Sequence, residues 1–309
     1  MPNGVKQGGV LSPILFCVYI DGLLSRLKCA GIGCHIGLYF VGVIAYADDI
    51  VLLAPTVDAL RRMLKICDNY ASEFNIVFNA KKSKSFIARP KGKICGHINS
   101  FDNSVFLIGG NSIDIVDEWP HVGHTISSRC DDKSDILNRR NCMVWQINNV
   151  ICYFNNLDSL IKLKLVVAYC SSHYRCQIWD LWSASIEVYC VAWRKGIRRI
   201  LGLPRDSHSL LLPVLSYVVP MMDEVYFRSI GFVSKCLSSD CSVMRFVTRH
   251  GILSGMAAVS GRNVLFCRIR YGFIVDDVLR GAYHPQCIKV NYFKGSMKVL
   301  VGLRLFLVR

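Results

Sequence analysis

The stretch Gly42-Val43-Ile44-Ala45-Tyr46-Ala47-Asp48-Asp49-Ile50-Val51-Leu52-Leu53-Ala54 sets two adjacent acids inside an otherwise apolar run. Val, Ile and Tyr favour extended backbone, because branched and aromatic side chains fit a pleated surface. Asp-Asp between two such runs reads as the tight turn of a β-hairpin, with both carboxylates at the tip of a ribbon. In partly buried surroundings two unpaired carboxylates repel one another until one takes up a proton. A hard divalent cation that prefers oxygen ligands, Mg²⁺ above all, removes the conflict. An isolated Asp-Asp pair is more often a solvated turn, so the flanking segments decide.

Upstream, Ser12-Pro13 reads as a helix start, since Ser accepts from exposed amides and Pro tolerates the first helical position. Ile14, Cys17, Val18, Asp21, Leu24 and Leu27 then recur at helical spacing. The segment Gly4 to Gly9 is a loop feeding that helix; its glycines let the backbone approach a ligand, and the helix N-terminus favours phosphate. Gln7 offers both donors and acceptors to a nucleotide or a base edge. Downstream, Thr56 can cap a helix whose apolar face is Leu60, Met63, Leu64, Cys67, Tyr70, Ala71 and Phe74. Ile76 to Phe78 reads as a further strand. It leads into Asn79 and the basic run Lys81, Lys82, Lys84, Arg89, Lys91 and Lys93, which suits nucleic acid or a triphosphate.

Between residues 100 and 135, Val105 to Ile108 and Ile113 to Val116 read as short strands joined by a Gly-Gly-Asn turn. From about Ile136 the pattern is helical, with Leu157 to Tyr169 and Ile186 to Leu201 the clearest segments. In the latter, Arg194, Lys195, Arg198 and Arg199 pair at i and i+4 as a basic stripe suited to backbone phosphates. Trp145, Trp179, Trp182 and Trp193 read as core. Beyond Pro204 no motif stands out.

The 309 residues are enough for two domains, and the 52% hydrophobic content excludes general disorder. Thirty-seven Lys and Arg against 22 Asp and Glu give a formal charge of +15, which favours a polyanionic partner such as nucleic acid. Fifteen cysteines are scattered singly in a chain too large for a disulfide scaffold, so reduced, mostly buried thiols are expected. With no Cys-x-x-Cys, a zinc site could draw only on His121, His124 and Cys130, at an unusual spacing. The longest uncharged apolar stretch, Leu210 to Met222, is broken by Pro213 and Pro220 and too short to span a bilayer, so no membrane role is expected. Residues after Met1 lack a secretory pattern, which predicts an intracellular protein, nuclear or cytoplasmic.

Four blocks together carry a resemblance. Tyr46 to Asp49 resembles the YxDD box of reverse transcriptases, and Asn3 to Phe16 resembles the GxxQGxxxSPxLF block of non-LTR (LINE-type) retrotransposons. Phe78 to Ser83 resembles the family's FNxxKS block, and His121-Val122-Gly123-His124 its YLG turn. The resemblance is specific over residues 1 to 125 and looser to about residue 215. It implies RNA-directed DNA synthesis by two-metal nucleotidyl transfer, with an RNA template, a DNA primer, dNTP and Mg²⁺. Asp48 would be a metal ligand with Asp49 supporting it, and Tyr46 and Ala47 would form the floor beneath the primer end. Gln7, Gly8 and Asn79 would help seat the nucleotide, and Lys82 would lie near the leaving pyrophosphate as its general acid. Lys81, Lys84, Arg194, Lys195, Arg198 and Arg199 would contact nucleic acid, and Val122-Gly123 would belong to the primer grip.

The family also uses an Asp on an earlier strand, for which Asp21, Asp102 and Asp114 stand in the wrong order and context. The resemblance therefore describes the later part of a polymerase, without its first palm segment or the N-terminal endonuclease, and inactive alone. A non-catalytic nucleic-acid-binding relic is the alternative. An RNA-directed RNA polymerase usually has Gly where Ala47 stands, and a group II intron enzyme fits the Trp/Arg region less well. The fold expected is α+β: a partial right-hand palm with an antiparallel sheet over residues 1–125, a helical thumb-like region over 126–215, and a helical C-terminal extension over 216–309. A sheet lacking its first strands exposes an edge, which predicts self-association.

Overall fold

A computed structural model describes residues 8–88, 105–170 and 173–271. The chain is mixed α+β and divides into two compact units, Met1–Trp119 with Ser127–Cys130, and Pro120–Ile126 with Asp131–Arg309. Gln7, Arg89, Lys91, Lys93 and Asp102, singled out in the sequence, lie outside the described residues.

In the first unit, α1 (Ser12–Ala30) carries Pro13 in its first turn. Leu11, not Ser12, holds the cap position, and Gly31 closes the helix in the left-handed conformation. The expected apolar face is rotated: Ile20, Leu23 and Leu27 are buried, while Ile14 and Val18 are 62% and 70% exposed. The reason is the partner helix α2 (Val57–Phe74), which meets α1 through the face of Tyr19, Gly22 and Arg26. Gly22 has no side chain there, and a Cβ would lie 2.7 Å from the Tyr70 hydroxyl, which donates to the Tyr19 carbonyl at 2.6 Å. Arg26 forms a two-point bond with Glu73 and lies over the Tyr70 ring. The α2 helix follows its sequence: Thr56 accepts from the Ala59 N–H, and Met63, Leu64, Cys67 and Tyr70 are buried.

Four short strands separate these helices: β1 (His35–Ile36) pairs with β2 (Tyr39–Phe40), and β3 (Val43–Tyr46) with β4 (Asp49–Leu52), both antiparallel. After α2, Asn75 turns left-handed. Ile76 to Phe78 is not a strand: Ile76 and Phe78 pack on the core from irregular backbone and Val77 is 91% exposed. The next strand is β5 (Lys84–Ser85), parallel to β7 (Asn111–Ile115), which pairs antiparallel with β6 (Phe106–Ile108). The β6–β7 hairpin is as expected, with Gly109 and Gly110 at positive φ in its turn and the Gly109 N–H bonded to Asp68 of α2. In place of one antiparallel sheet, the described strands form small ribbons and this three-stranded sheet with a parallel edge.

The hairpin of β8 (Glu118–His121) and β9 (His124–Ser127) precedes the helices of the second unit. These are α3 (Lys133–Tyr153), α4 (Ser159–Leu165) running into a π turn at Val166–Cys170, α5 (Ala184–Ile200), α6 (Leu212–Ser216), α7 (Met221–Leu237), α8 (Ser242–Leu253) and α9 (Val259–Tyr271). One apolar core runs from Ile136 to Cys267. The α3 and α5 helices approach closely at Gly196, where a Cβ would fall 2.7 Å from Ile147. Trp179 and Trp193 are core, but Trp145 is 65% exposed, and Trp182 is 46% exposed with its N–H donated to the Arg262 carbonyl. Among the described residues no single helix is long and apolar enough to cross a membrane. The bent pair Ser209–Ser216 and Met221–Leu237 passes that test by length and composition, and the second of these is largely buried.

The base of the β3–β4 hairpin rests on two glycines. A Cβ on Gly33 would sit 2.6 Å from the Gly42 Cα and 3.0 Å from the Leu53 carbonyl, and one on Gly42 would strike the Phe40 ring at 2.6 Å. This contact brings Cys34 N–H to the Leu53 carbonyl and Leu53 N–H to the Gly42 carbonyl, each at 2.8 Å. Gly33→Ala or Gly42→Ala is therefore expected to destabilise the first unit by about 1–3 kcal/mol, through overpacking that backbone atoms cannot relieve. Urea unfolding checks this; an unchanged midpoint for both variants refutes it.

Candidate functional site

Pairing of Tyr46 with Asp49 closes the acidic hairpin and leaves Ala47 and Asp48 as its turn residues. The sequence placed both acids in the turn; instead Asp49 is the first residue of β4, and only Asp48 occupies the loop. The shift has a cost. Ala47 has φ = +52°, a left-handed conformation that its Cβ disfavours. The strain lifts both carboxylates onto an exposed tip beside Tyr46, itself 66% exposed. Their oxygen donors suit Mg²⁺. Among the described residues, however, no group of three or more His, Cys, Asp or Glu is placed to hold a metal ion.

Gly8, at φ = +80°, is exposed ahead of α1. Asn79 builds a turn: its side-chain oxygen accepts from the Lys82 N–H at 3.1 Å, and its carbonyl from the Ser83 N–H at 2.9 Å. That turn presents Lys81 and Lys82 to solvent. Lys84 is different: it pairs with Asp114 and faces the Trp119 ring, so its charge is committed within the sheet.

In the second unit, Val122 (φ = +46°) and Gly123 (φ = +81°) form the turn of the β8–β9 hairpin, both left-handed as in a type I′ turn. Glycine adopts this conformation freely, whereas a β-branched residue is strained in it. On β9, His124 is buried between two carboxylates, with Nε2 3.7 Å from Asp132 and Nδ1 3.2 Å from Asp135, the latter outside hydrogen-bond geometry. Asp135 is 2% exposed and accepts from the Thr125 N–H at 3.0 Å and the Trp179 indole N–H at 2.8 Å. Asp132 accepts from the Asp180 N–H at 2.7 Å. Burial alone lowers the His124 pKa, but the two carboxylates outweigh it and raise it to about 9. Burial raises that of Asp135, and its ion pair with His124 and the hydrogen bonds from Thr125 and Trp179 outweigh this and hold it below the ordinary carboxylate range. His121 and Cys130 do not join His124 in a metal site: Cys130 is exposed, and His124 is engaged by acids.

The α5 stripe is only partly a free surface. Arg194 pairs with Glu187, Arg198 donates to the Ser207 carbonyl and Ser209, and Arg199 donates to Asn148, while Lys195 is exposed. A second buried histidine, His173, hydrogen-bonds Tyr189 at 2.9 Å, and burial pushes its pKa down to about 4. Cysteines 67, 176, 190 and 267 are buried thiols raised to about 12, and every described cysteine is free.

Sequence reading missed Gly33 and Gly42, whose signal was glycine bounding an apolar run. It also missed that Asp132 and Asp135 flank His124 and that Asp135 meets Trp179, a contact across 44 residues that no spacing rule joins.

Residues 2–100 match the family model described as reverse transcriptase (RNA-dependent DNA polymerase). The chain is 33% identical over 141 residues to the Pol polyprotein of the type-2 retrotransposable element R2DM of Drosophila melanogaster, a match covering 43% of the chain and 13% of that protein. It is 40% identical over 94 residues to the Pol polyprotein of a type-1 R2 element of Popillia japonica, and 30% identical over 129 residues to that of Nasonia vitripennis. These matches cover 30% and 41% of the chain. The chain thus spans about an eighth of the length of these relatives.

Two outcomes follow from the geometry. Val122→Asn relieves the β-branched strain and is expected to raise stability by about 0.5–1 kcal/mol, while Val122→Ile leaves it unchanged; a melting temperature lowered by the Asn variant refutes this. His124 has a folded pKa above its ordinary value, so its stabilisation is complete below about pH 6.5 and lost as pH rises through about 9. The urea midpoint of wild type should fall across that window. His124→Gln should start lower and show no such fall, and a flat wild-type profile sinks the assignment.

Proposed function

As residues 2–100 are a reverse transcriptase segment and the chain is related to R2 non-LTR retrotransposon polyproteins, we propose that it is the palm and thumb portion of an RNA-directed DNA polymerase. Residues 1–125 are the later palm, 126–215 the thumb-like region and 216–309 a helical C-terminal extension. The observation that carries this reading is the Tyr46–Asp49 hairpin, strained at Ala47 and presenting two carboxylates to solvent at the end of a ribbon anchored by Gly33 and Gly42.

Asp48 and Asp49 would hold Mg²⁺, Asp48 directly and Asp49 in support. When bound, the ions neutralise charge on the attacking and leaving oxygens of nucleotidyl transfer. Tyr46 and Ala47 lie beneath the primer end. Gln7 and Gly8 seat the incoming dNTP against the RNA template, and Asn79 fixes the turn that presents Lys82. Lys82 stabilises the leaving pyrophosphate and supplies its proton. The Val122-Gly123 turn grips the DNA primer. The remaining metal ligand and the endonuclease belong to polymerase segments outside this chain, and the protein acts inside the cell.

The alternative, a nucleic-acid-binding relic without turnover, is favoured by a different observation: two carboxylates alone hold divalent ions weakly, whereas a +15 chain with exposed lysines binds polyanions without them. Both readings agree on the isolated chain. It should not extend oligo(dT) on poly(rA) with Mg²⁺ or Mn²⁺; extension that Asp48→Ala abolishes would show that this carboxylate set suffices. It should bind primer–template with an affinity that drops steeply with salt. Neutralising Lys81 and Lys82 should flatten the slope of log affinity against log salt by about 2, whereas Arg198→Gln costs stability instead. A salt-independent affinity defeats both readings.

A further inference from the structure

We propose that Tyr174, Arg139 and Arg175 form a contact site for a nucleic-acid strand beside the Val122-Gly123 turn, with the tyrosine as stacking surface and the two guanidinium groups as phosphate contacts. The inference rests on the reading that this chain handles nucleic acid. Its new content is the site, built from residues of α3 and of the segment before α5 that no motif contains.

Tyr174 lies under the turn: a Cβ on Gly123 would come within 3.1 Å of its ring. Tyr174 is nevertheless 51% exposed, so it touches the turn while much of its surface meets solvent. Both arginines lie close to it, Arg139 with its guanidinium carbon 5.7 Å from the ring centre and Arg175 at 5.0 Å. Arg139 donates to the Gly123 carbonyl, and Arg175 donates to the His121 carbonyl and the Tyr174 hydroxyl, each at 3.3 Å. These bonds hold the guanidinium groups in place while using few of the five N–H donors each carries. Arg175 sits at φ = +66°, a conformation an L-residue adopts only under constraint.

Charge decides what this cluster can bind. Asp135 is 3.8 Å from Arg139 and would neutralise it. Asp135 and Asp132, however, share His124, whose raised pKa keeps it positive at neutral pH. Arg175, whose side chain bonds only a carbonyl and a hydroxyl, pairs with no carboxylate among the described residues, so a positive charge remains beside the exposed ring. An aromatic face flanked by cations is the pairing that single-stranded nucleic acid uses, bases on the ring and phosphates on the cations.

The test is fluorescence anisotropy of the full chain with labelled oligothymidylate of about 16 nucleotides and with a blunt duplex of the same length. Tyr174→Ala should weaken single-strand binding about tenfold, Tyr174→Phe should restore it, and the duplex should be affected less. Arg139→Gln and Arg175→Gln should each flatten the single-strand salt slope by about 0.7. Thermal melts separate lost contact from lost fold, and Tyr174→Phe keeps the ring under the turn. If Tyr174→Ala binds as wild type while Lys81→Gln with Lys82→Gln weakens binding, this site is overturned and the nucleic-acid reading stands. If wild type binds neither probe, the reading under it fails.

Discussion

A carboxylate that is 2% exposed must have its lone pairs used, and the second unit is organised around meeting that demand for Asp135. Its oxygens accept from the Thr125 N–H of the β8–β9 hairpin and from the Trp179 indole, while His124 supplies the compensating charge. Each partner comes from a different stretch of chain. Satisfying one buried acid therefore fixes the hairpin against α3 and the segment before α5 against both. Asp132 repeats the arrangement one turn earlier, accepting from Asp180, which in turn holds Arg262 of α9. Removing a single member leaves a buried charge unpaired, which costs more than the pair contributes when intact.

The first unit solves a different problem, the rigid display of two acids that have no cation among the described residues. Repulsion between Asp48 and Asp49 is relieved by exposure, and the cost moves to Ala47, held in a left-handed conformation. The support lies at the far end of the ribbon, where Gly33 and Gly42 bring two backbones closer than any side chain allows. Backbone strain at a polar tip with close packing at its base is the arrangement expected where function and stability pull apart.

Much of the fold was legible from periodicity. The α2 helix, its Thr56 cap, the acidic hairpin, the β6–β7 hairpin and α5 were all readable, because each is stabilised by neighbours in sequence. The errors fall where packing partners decide. Ile14 and Val18 have helical spacing equal to that of Leu24 and Leu27, but α1 meets α2 through the face of Tyr19, Gly22 and Arg26. Ile76 to Phe78 has strand-type residues and no strand to pair with. Trp145 and Trp182 are as apolar as Trp179, yet lie at the surface.

The same division runs through the candidate sites. By itself the sequence determined the chemistry on offer, namely adjacent carboxylates between strand-forming runs, lysines after a turn-forming Asn, and a basic excess, because these are properties of residue type and short spacing. Only the tertiary structure decided which groups act together. It moved Asp49 out of the turn and committed Lys84, Arg194, Arg198 and Arg199 to internal partners. It also assembled His124 with Asp132 and Asp135, and Tyr174 with Arg139 and Arg175. Whether a charge is free or spent depends on contacts that lie from 7 to 51 residues away, and one-dimensional patterns carry no record of which of them form.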